Sequence, residues 1–457
     1  MKTFEAGSTI HFIGIAGSGM NGIARILISR GFHVSGSDEK ESEVLQSLSA
    51  AGAKTFVGHH PANIEGADLI VISSAIPETN VELAAARTKG LEVLRRAEAL
   101  AGLLPGRFSL AVAGTHGKTT TSGMFAQLLW SLGREPSFVI GSKVKALGES
   151  AREGGGAEFI VEADESDGSF LHYRPNAAII TNIELDHVDN FSDLEQVKKL
   201  FTDFIATVRD FVVVCGDDPV ASTIDVPSSI RRISYGTQPG CELLLSDLEE
   251  GEGVSAQVRF GDEDLGRLSL RMPGRHNIIN AAAVLAATIV MGFEPREVID
   301  KLGEFEGTDR RFELKGCARG VTVLDDYGHH PTEIRAVIAA ARSRLAASSS
   351  GGRLALLFQP HRFTRTAAFI EEFVAALSGA DKTFLIDIYG AGESPIPGIT
   401  SREISESIAH GEYCEDFDHA IEAIRGWARE GDMVITLGAG DVTKLGPILV
   451  AALTDGE

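Results

Sequence analysis

The densest run of chemically useful side chains is Gly114-Thr115-His116-Gly117-Lys118-Thr119-Thr120, set between an apolar run and a helical pattern. Glycine, lysine and hydroxyl in that order describe a variant phosphate-binding loop. Backbone N–H groups would cradle phosphates, Lys118 would reach the β/γ oxygens and Thr119 would reach Mg²⁺. Two residues separate the glycines, against four in the usual pattern.

Two polar clusters downstream suit the same chemistry. Glu162, Asp164, Glu165 and Asp167 follow one apolar run, and Asn182, Glu184, Asp186, His187 and Asp189 follow another. Carboxylates packed this closely repel one another unless cations or donors are near, and strand C-termini are where α/β folds keep their ligands. The pair of clusters therefore fits Mg²⁺ coordination. Further on, either Arg310 or Arg311 could swing onto a γ-phosphate. The stretch Asp325-Asp326-Tyr327-Gly328-His329-His330-Pro331 is too polar for a packing junction. In Gln359-Pro360-His361-Arg362-Phe363-Thr364-Arg365 two arginines stand three positions apart, so a helix beginning there would put both on one face, suited to grip a carboxylate.

A second glycine loop, Gly17, Gly19 and Gly22 in a GxGxxG pattern, follows the apolar run near the start of the chain. Backbone donors in such a loop approach a diphosphate closely. Asp38 stands where a dehydrogenase would place its ribose contact, so that reading has to be excluded.

The elements that must position these groups follow from apolar periodicity. Residues 9–15 read as a strand, 22–31 as a helix ending in glycine, and 67–73 as a buried strand, which makes residues 1–97 a small parallel α/β domain. Residues 108–114 begin a second unit, whose helix carries Met124, Phe125, Leu128, Leu129 and Leu132 and closes at Gly133. Strands are expected at 157–161, 177–181 and 210–215, and an alanine-rich helix at 277–292 capped by Asn277. The acidic stretch 247–253 reads as a solvated hairpin tip, and the unit ends at 307. Strands at 321–324 and 353–358, flanking a helix at 331–345 and a loop at 348–352, open a third α/β unit over 308–457. Three domains are what 457 residues ordinarily make.

Composition narrows the function classes. A net charge of −22 excludes a broad nucleic-acid footprint, so any phosphate site must be local. Cys215, Cys241, Cys317 and Cys414 are scattered without a CxxC pair, which suits a reducing cytoplasm and neither a zinc knuckle nor a disulfide framework. No membrane span is expected, and no oligomer interface is legible.

Taken in order, the Gly-rich start, GTHGKTTT, EADESDGSFL, TNIELDHVD, PGRHNIINA, RRFELKG, DDYGHHPTE, QPHRFTRT, YGAGESPIPG and GAGD span nearly the whole chain. The series resembles the Mur ligases, and within them the members that add L-alanine. The resemblance implies an N-terminal Rossmann-like UDP-sugar domain, a central P-loop ATPase-like domain and a C-terminal Rossmann-like α/β domain for the amino acid. It implies ATP and Mg²⁺ as cofactors, UDP-N-acetylmuramate and L-alanine as substrates, and an acyl-phosphate intermediate on the route to peptidoglycan precursors.

By the same resemblance Lys118, His187 and Arg311 serve catalysis, with Arg311 preferred to Arg310 at the γ-phosphate. ATP would be held by Gly114, Thr115, His116, Gly117, Lys118, Thr119 and Thr120, its adenine read by Asn277 and its ribose by Asp326. Thr119, Glu162 and His187 would hold Mg²⁺. Gly17, Ser18 and Gly19 would face the UDP-sugar diphosphate, with Ser73, Ser74 and His60 as further candidates. His361, Arg362 and Arg365 would take the L-alanine carboxylate, with Tyr327 and His329 lining the same pocket. One departure is Ala16, where the family's loop has glycine. Some relatives carry a carbamylated lysine, a role that no residue here announces, with Lys198 and Lys199 as loose candidates.

The competing readings are a ligase that recycles a preformed murein tripeptide, a nucleotide-binding regulator without catalysis, and a dehydrogenase. QPHRFTRT favours a free amino acid over the tripeptide, and Lys118, Glu162 and His187 together favour catalysis. An ATP-type loop in the second domain contradicts the dehydrogenase. In a three-domain ligase the last domain must close on the nucleotide, with a hinge expected over 303–308.

Overall fold

The computed structural model describes residues 4–5, 7–348 and 351–454, without the side chain of Ser18. The expected loop at 348–352 falls partly outside these residues. Three sheets organise the chain. The first is parallel throughout, with β1 (Thr9–Ile13), β2 (His33–Asp38), β3 (Lys54–Val57), β4 (Leu69–Ile72) and β5 (Glu92–Arg95) in the order β3-β2-β1-β4-β5. Strand order reverses beside β1, and the glycine loop leading into the helix Ser18–Ser29 lies at that switch point.

The central sheet has ten strands. They are β6 (Phe108–Ala113), β7 (Ser137–Val144), β8 (Glu149–Arg152), β9 (Glu158–Glu162), β10 (Ala177–Ile180), β11 (Phe211–Cys215), β12 (Arg231–Gly236), β13 (Leu243–Glu250), β14 (Val254–Phe260) and β15 (Glu263–Leu270). Their order is β15-β14-β13-β12-β11-β10-β6-β9-β7-β8, parallel from β13 through β7 and antiparallel at both ends. β10 and β11 are buried along their whole length, the near-continuous apolar run that a sheet covered on both faces requires. The acidic hairpin joins β13 to β14. The helices Lys118–Ser131 and Arg275–Val290 pack against each other over one face. The alanines of the second, Ala281 to Ala283, Ala286 and Ala287, allow that close approach and are fully buried.

The cap of that helix differs from expectation. The helix begins at Arg275, with Gly274 at the N-cap and a φ of 98° that favours glycine. Asn277 therefore sits inside the first turn, buried, with its Nδ2 donating to the Pro273 carbonyl at 2.7 Å.

The third sheet runs β16-β17-β21-β18-β19-β20, from β16 (Glu313–Ala318), β17 (Val321–Asp326), β18 (Leu354–Phe358), β19 (Lys382–Leu385), β20 (Gly411–Tyr413) and β21 (Met433–Leu437). Only β16 is antiparallel to its neighbour. The helix Pro331–Ala347 leaves β17 with His330 and Glu333 in a capping box and Pro331 at its first position.

The two junctions between these bodies are built differently. A single apolar core runs from Ile10, Ile23 and Leu27 of the first body to Ala111, Phe159 and Val161 of the second. There the helix Ser18–Ser29 approaches β8 so closely that a Cβ on Gly22 would lie 2.8 Å from Ala151 Cβ. The third sheet keeps separate cores on its two faces. The connection into it, where a hinge is expected over 303–308, hydrogen-bonds to the central body. Gln127 donates to Glu304 O at 3.0 Å, Lys145 N to Gly307 O at 3.0 Å, and Asp309 N to Lys143 O at 2.9 Å. Positive φ angles follow at Arg310 (59°) and Phe312 (49°).

The two tryptophans lie in different bodies. Trp130, in the last turn of the helix Lys118–Ser131, lies beneath the Arg152 guanidinium at 4.6 Å, and Trp427 lies beneath that of Arg353 at 4.0 Å. No helix among the described residues is long and apolar enough to cross a membrane.

Candidate active site

The C-terminal ends of the central strands face a cleft of about 1130 Å³, walled by all three bodies. At its floor, β6 turns through Gly114 (φ 135°) and Gly117 (φ 81°) into the helix starting at Lys118. A Cβ on Gly114 would collide with the Thr181 side chain, and one on Gly117 would lie 2.9 Å from Asn280 Oδ1. The loop thus needs both glycines. Lys118 Nζ donates to the carbonyls of Gly114 (2.6 Å) and Thr115 (3.1 Å) and to Glu165 Oε2 (2.7 Å). Burial works against its charge, but Glu165 and Asp164 outweigh it and hold the ammonium protonated.

Thr119 Oγ1 donates to Glu162 Oε1 at 3.0 Å, and Gly141 N donates to Glu162 Oε2 at 2.7 Å. Across from them, Glu165 Oε1 is buried without a hydrogen-bond partner, 3.7 Å from His187 Nε2. Burial holds the His187 imidazole neutral, with its backbone in the left-handed region at φ 52°. Thr119 with Glu162, and the orphaned Glu165 oxygen beside His187, are two separate pairs offering donors of the kind a hard divalent cation takes, not gathered around one point among the described residues.

The far wall belongs to the third sheet. Tyr327 and His329 follow β17, with ring centroids 5.3 Å apart, and His361 lies 5.9 Å from His329. Burial brings His329 down to about 3 and His361 to about 4, so both imidazoles are neutral near pH 7. The two arginines do not share one partner. Arg365, 4% exposed, contacts Asp186 at 2.9 Å, while Arg362, at the N-cap of the short helix Phe363–Ala368 with φ 68°, contacts Asp189 at 2.7 Å. Both carboxylates come from the central body, so these pairs fasten the two walls together. Arg311 Nη1 lies 3.2 Å from Glu333 Oε1, and Arg310 donates instead to the carbonyls of Gly438 (2.6 Å) and Gly440 (3.3 Å). Both guanidiniums lie over the Tyr327 ring.

The junction continues above the phosphate loop. His116 Nε2 is 3.3 Å from Glu184 Oε2 and its Nδ1 is 3.6 Å from Glu333 Oε1. Against the burial that would drive its proton off, these two carboxylates raise His116 to about 9. Thr332 donates to Glu184 at 2.8 Å, and the His116 and His330 rings are 4.8 Å apart.

On the N-terminal side Gly19 lines the cleft beneath Arg96, whose guanidinium would meet a Cβ placed there at 2.7 Å and which lies 3.5 Å from Asp164. Asp38 is occupied otherwise: its carboxylate accepts from Ala16 N (3.0 Å) and Glu39 N (2.9 Å), which closes the loop onto itself.

The cleft brings together Gly19, Ser74, Thr115 to Thr119, Glu162 and His187 with Arg310, Arg311, Tyr327, His329, His361, Arg362 and Arg365. Gly17, Ser73, His60, Gly114, Thr120, Asn277 and Asp326 stand outside its lining. Ser18 opens its helix, and its side chain lies outside the described part. His60 caps a short turn by accepting from Ala62 N at 3.1 Å. The Asp326 carboxylate is buried and turned inward, accepting from Phe312 N (2.7 Å) and Gly328 N (2.8 Å). Neither Lys198 nor Lys199 lines the cleft, and Lys199 pairs with Asp203 at 2.6 Å. Sequence reasoning missed Arg96, Asn280 and Glu333. For Glu333 the available signal was the capping-box spacing from His330.

Family models match along the chain in order: "Mur ligase family, catalytic domain" over residues 9–107, "Mur ligase middle domain" over 112–288 and "Mur ligase, glutamate ligase domain" over 310–440. A protein of Paenarthrobacter aurescens named UDP-N-acetylmuramate--L-alanine ligase is 46% identical over 455 residues, 98% of each chain. One of the same name from Thermobifida fusca is 45% identical over 454 residues, 97% of this chain and 96% of its own. Among solved structures, a UDP-N-acetylmuramate-alanine ligase of Thermotoga maritima superposes with a TM-score of 0.82 at 27% identity, covering 98% of this chain and all of its own. A murein peptide ligase of Psychrobacter arcticus shares the fold, with a TM-score of 0.72 at 24% identity over 98% of this chain and 99% of its own.

Proposed function

The chain belongs to the Mur ligase family, and from that premise we propose that it joins L-alanine to the carboxylate of UDP-N-acetylmuramate, with cleavage of ATP to ADP and phosphate, in the synthesis of peptidoglycan precursors. The observation that carries this reading is the cleft itself. A phosphate loop on its floor faces a glycine loop on one side and a small pocket of imidazoles and arginine on the other.

ATP lies with its phosphates along residues 114–120. Lys118 leaves its loop carbonyls for the transferred phosphoryl group, and Arg311 neutralises the same charge from the opposite wall. The sugar carboxylate attacks the γ-phosphorus, giving an acyl-phosphate and ADP; the alanine amine then attacks the acyl carbon and phosphate leaves. Thr119 and Glu162 would hold one Mg²⁺ and His187 would help hold a second, ions that when bound neutralise phosphate charge. Gly19 and Arg96 face the UDP-sugar diphosphate. His361, Arg362 and Arg365 take the carboxylate of the amino acid, with Tyr327 and His329 beside them, and discrimination against glycine rests on one methyl group, worth about 1–3 kcal/mol. The reaction belongs to the cytoplasm and involves no nucleic acid.

The test is phosphate release from ATP and Mg²⁺ with UDP-N-acetylmuramate, comparing L-alanine, glycine, L-serine and the murein tripeptide as acceptors. Release fastest with L-alanine supports the reading. Release with the tripeptide alone would make the chain a recycling ligase, and none with any acceptor would leave only a nucleotide-binding role. Lys118→Ala should remove about 3 kcal/mol of transition-state stabilisation, more than 100-fold in rate.

A further inference from the structure

We propose that Glu333 is a positioning residue for both halves of the reaction, one carboxylate that keeps the phosphate loop and the amino-acid pocket in register; this rests on the ligase reading above. Its place in the chain suggests something simpler. Glu333 is the third residue of the helix Pro331–Ala347 and closes a capping box with His330. That task takes one oxygen: Oε2 accepts from His330 N at 3.4 Å and from His329 N at 3.0 Å.

Here the other oxygen points across the domain junction. Oε1 lies 3.2 Å from Arg311 Nη1 and 3.6 Å from His116 Nδ1, and the side chain is 9% exposed. The carboxylate is thus divided, with the phosphate-handling groups on Oε1 and His329 on Oε2, its ring Nδ1 at 3.4 Å. His116 belongs to the phosphate loop, and its second nitrogen is held by Glu184, which in turn takes the Thr332 hydroxyl. The clasp runs from the loop to the helix that carries Glu333 and back. His116, Glu184 and His330 come close enough to suggest a metal site. Held protonated between two carboxylates, however, His116 acts as a donor and not a ligand. The groups facing it are Glu184, Glu333 and His330.

Glutamine serves as well as glutamate in a capping box, so Glu333→Gln keeps the cap and removes the charge. The expected result is a kcat for phosphate release lower by about 100-fold, the scale of a small misplacement of reacting groups. The KM for L-alanine should rise, and the alkaline limb of the kcat profile should move to lower pH as His116 loses one of its two carboxylates. The unfolding temperature should fall, since Arg311 and His116 each lose an anion, so the pH limb and the KM, which a structural defect alone would not move, carry the decision. Glu333→Asp, which keeps the charge at shorter reach, should restore the pH limb in part. Calorimetry without acceptors supplies a second readout, in which Glu333→Gln weakens ATP more than ADP because Arg311 and His116 serve the terminal phosphate. An inert parent enzyme would sink the ligase reading alone, since the ATP-to-ADP difference still decides whether Glu333 holds the phosphate side. Parental kcat, KM and pH profile in Glu333→Gln would overturn the proposal. So would a loss of rate that comes with a lower unfolding temperature, an unmoved pH limb and an unmoved KM.

Discussion

The junction between the first and central bodies and the junction between the central and third bodies differ in kind. An apolar core runs through the first, with the ion pairs Arg30–Glu153 and Arg96–Asp164 beside it, and it is packed closely enough to leave no room for a Cβ on Gly22. The second is a set of ion pairs and hydrogen bonds: Arg365 to Asp186, Arg362 to Asp189, Thr332 to Glu184 and His116 between Glu184 and Glu333. Apolar contact is non-directional and gains nothing from coming apart in water, whereas polar partners exchange readily with water or ligand. The first junction is therefore a fixed wall and the second a closure whose partners substrates can replace. In this structure Arg365 already engages a carboxylate, the group an amino acid would bring.

The sharpest way to break this comparison is at Arg365. In Arg365→Ala the Asp186 carboxylate, held well below the usual range by that arginine despite burial, loses its cation. Stranding a buried charge costs about 3–5 kcal/mol. L-alanine titrations should lose saturation, and scattering with ATP and UDP-sugar should show the open form. Next in size is the fixed wall, where Gly22→Val overpacks against Ala151 and should cost about 1–3 kcal/mol of stability. Calorimetry should find the first two bodies melting earlier together and closure unchanged.

Solution pH separates the two junctions without mutation. His116 is raised in the folded state, so its contribution is full below its ordinary value of 6.5 and is lost as pH rises through about 9. Glu184 is lowered to about 2, against burial, by His116 and Thr332, so its share is full above 4.5 and is lost as pH falls through about 2. A distance probe across the second junction should report opening between pH 8 and 10, and one across the first should stay flat. The smallest effect is expected at the half-exposed Arg362–Asp189 pair. Arg362→Ala should shift closure by about 1 kcal/mol or less, a difference that 0.5 M salt should erase.

The family and the three-body α/β architecture were legible because apolar periodicity and ordered motifs survive a local reading. The phosphate loop, Glu162 and His187 announce themselves by residue type at strand ends. What escaped depends on conformation or on distant partners. Asn277 looks like a cap until the turn before it demands a positive φ that Gly274 supplies. Asp326 accepts from Phe312 N and Gly328 N, partners that the sequence does not announce. Arg362 and Arg365 read as one grip, because their carboxylates lie 173 and 179 residues away. Glu333 reads as a cap, since nothing local says where its second oxygen points.

The placement of the two tryptophans turns this architecture into an optical instrument. Trp427 emits from the third body and Trp130 from the central one, each against a guanidinium, while the first body has none. With Trp427 replaced by phenylalanine, the remaining emission in a denaturant titration follows the two bodies that share a core. With Trp130 replaced instead, it follows the third body. One chain and two single substitutions would resolve, by colour alone, whether the halves of this molecule come apart together or in turn.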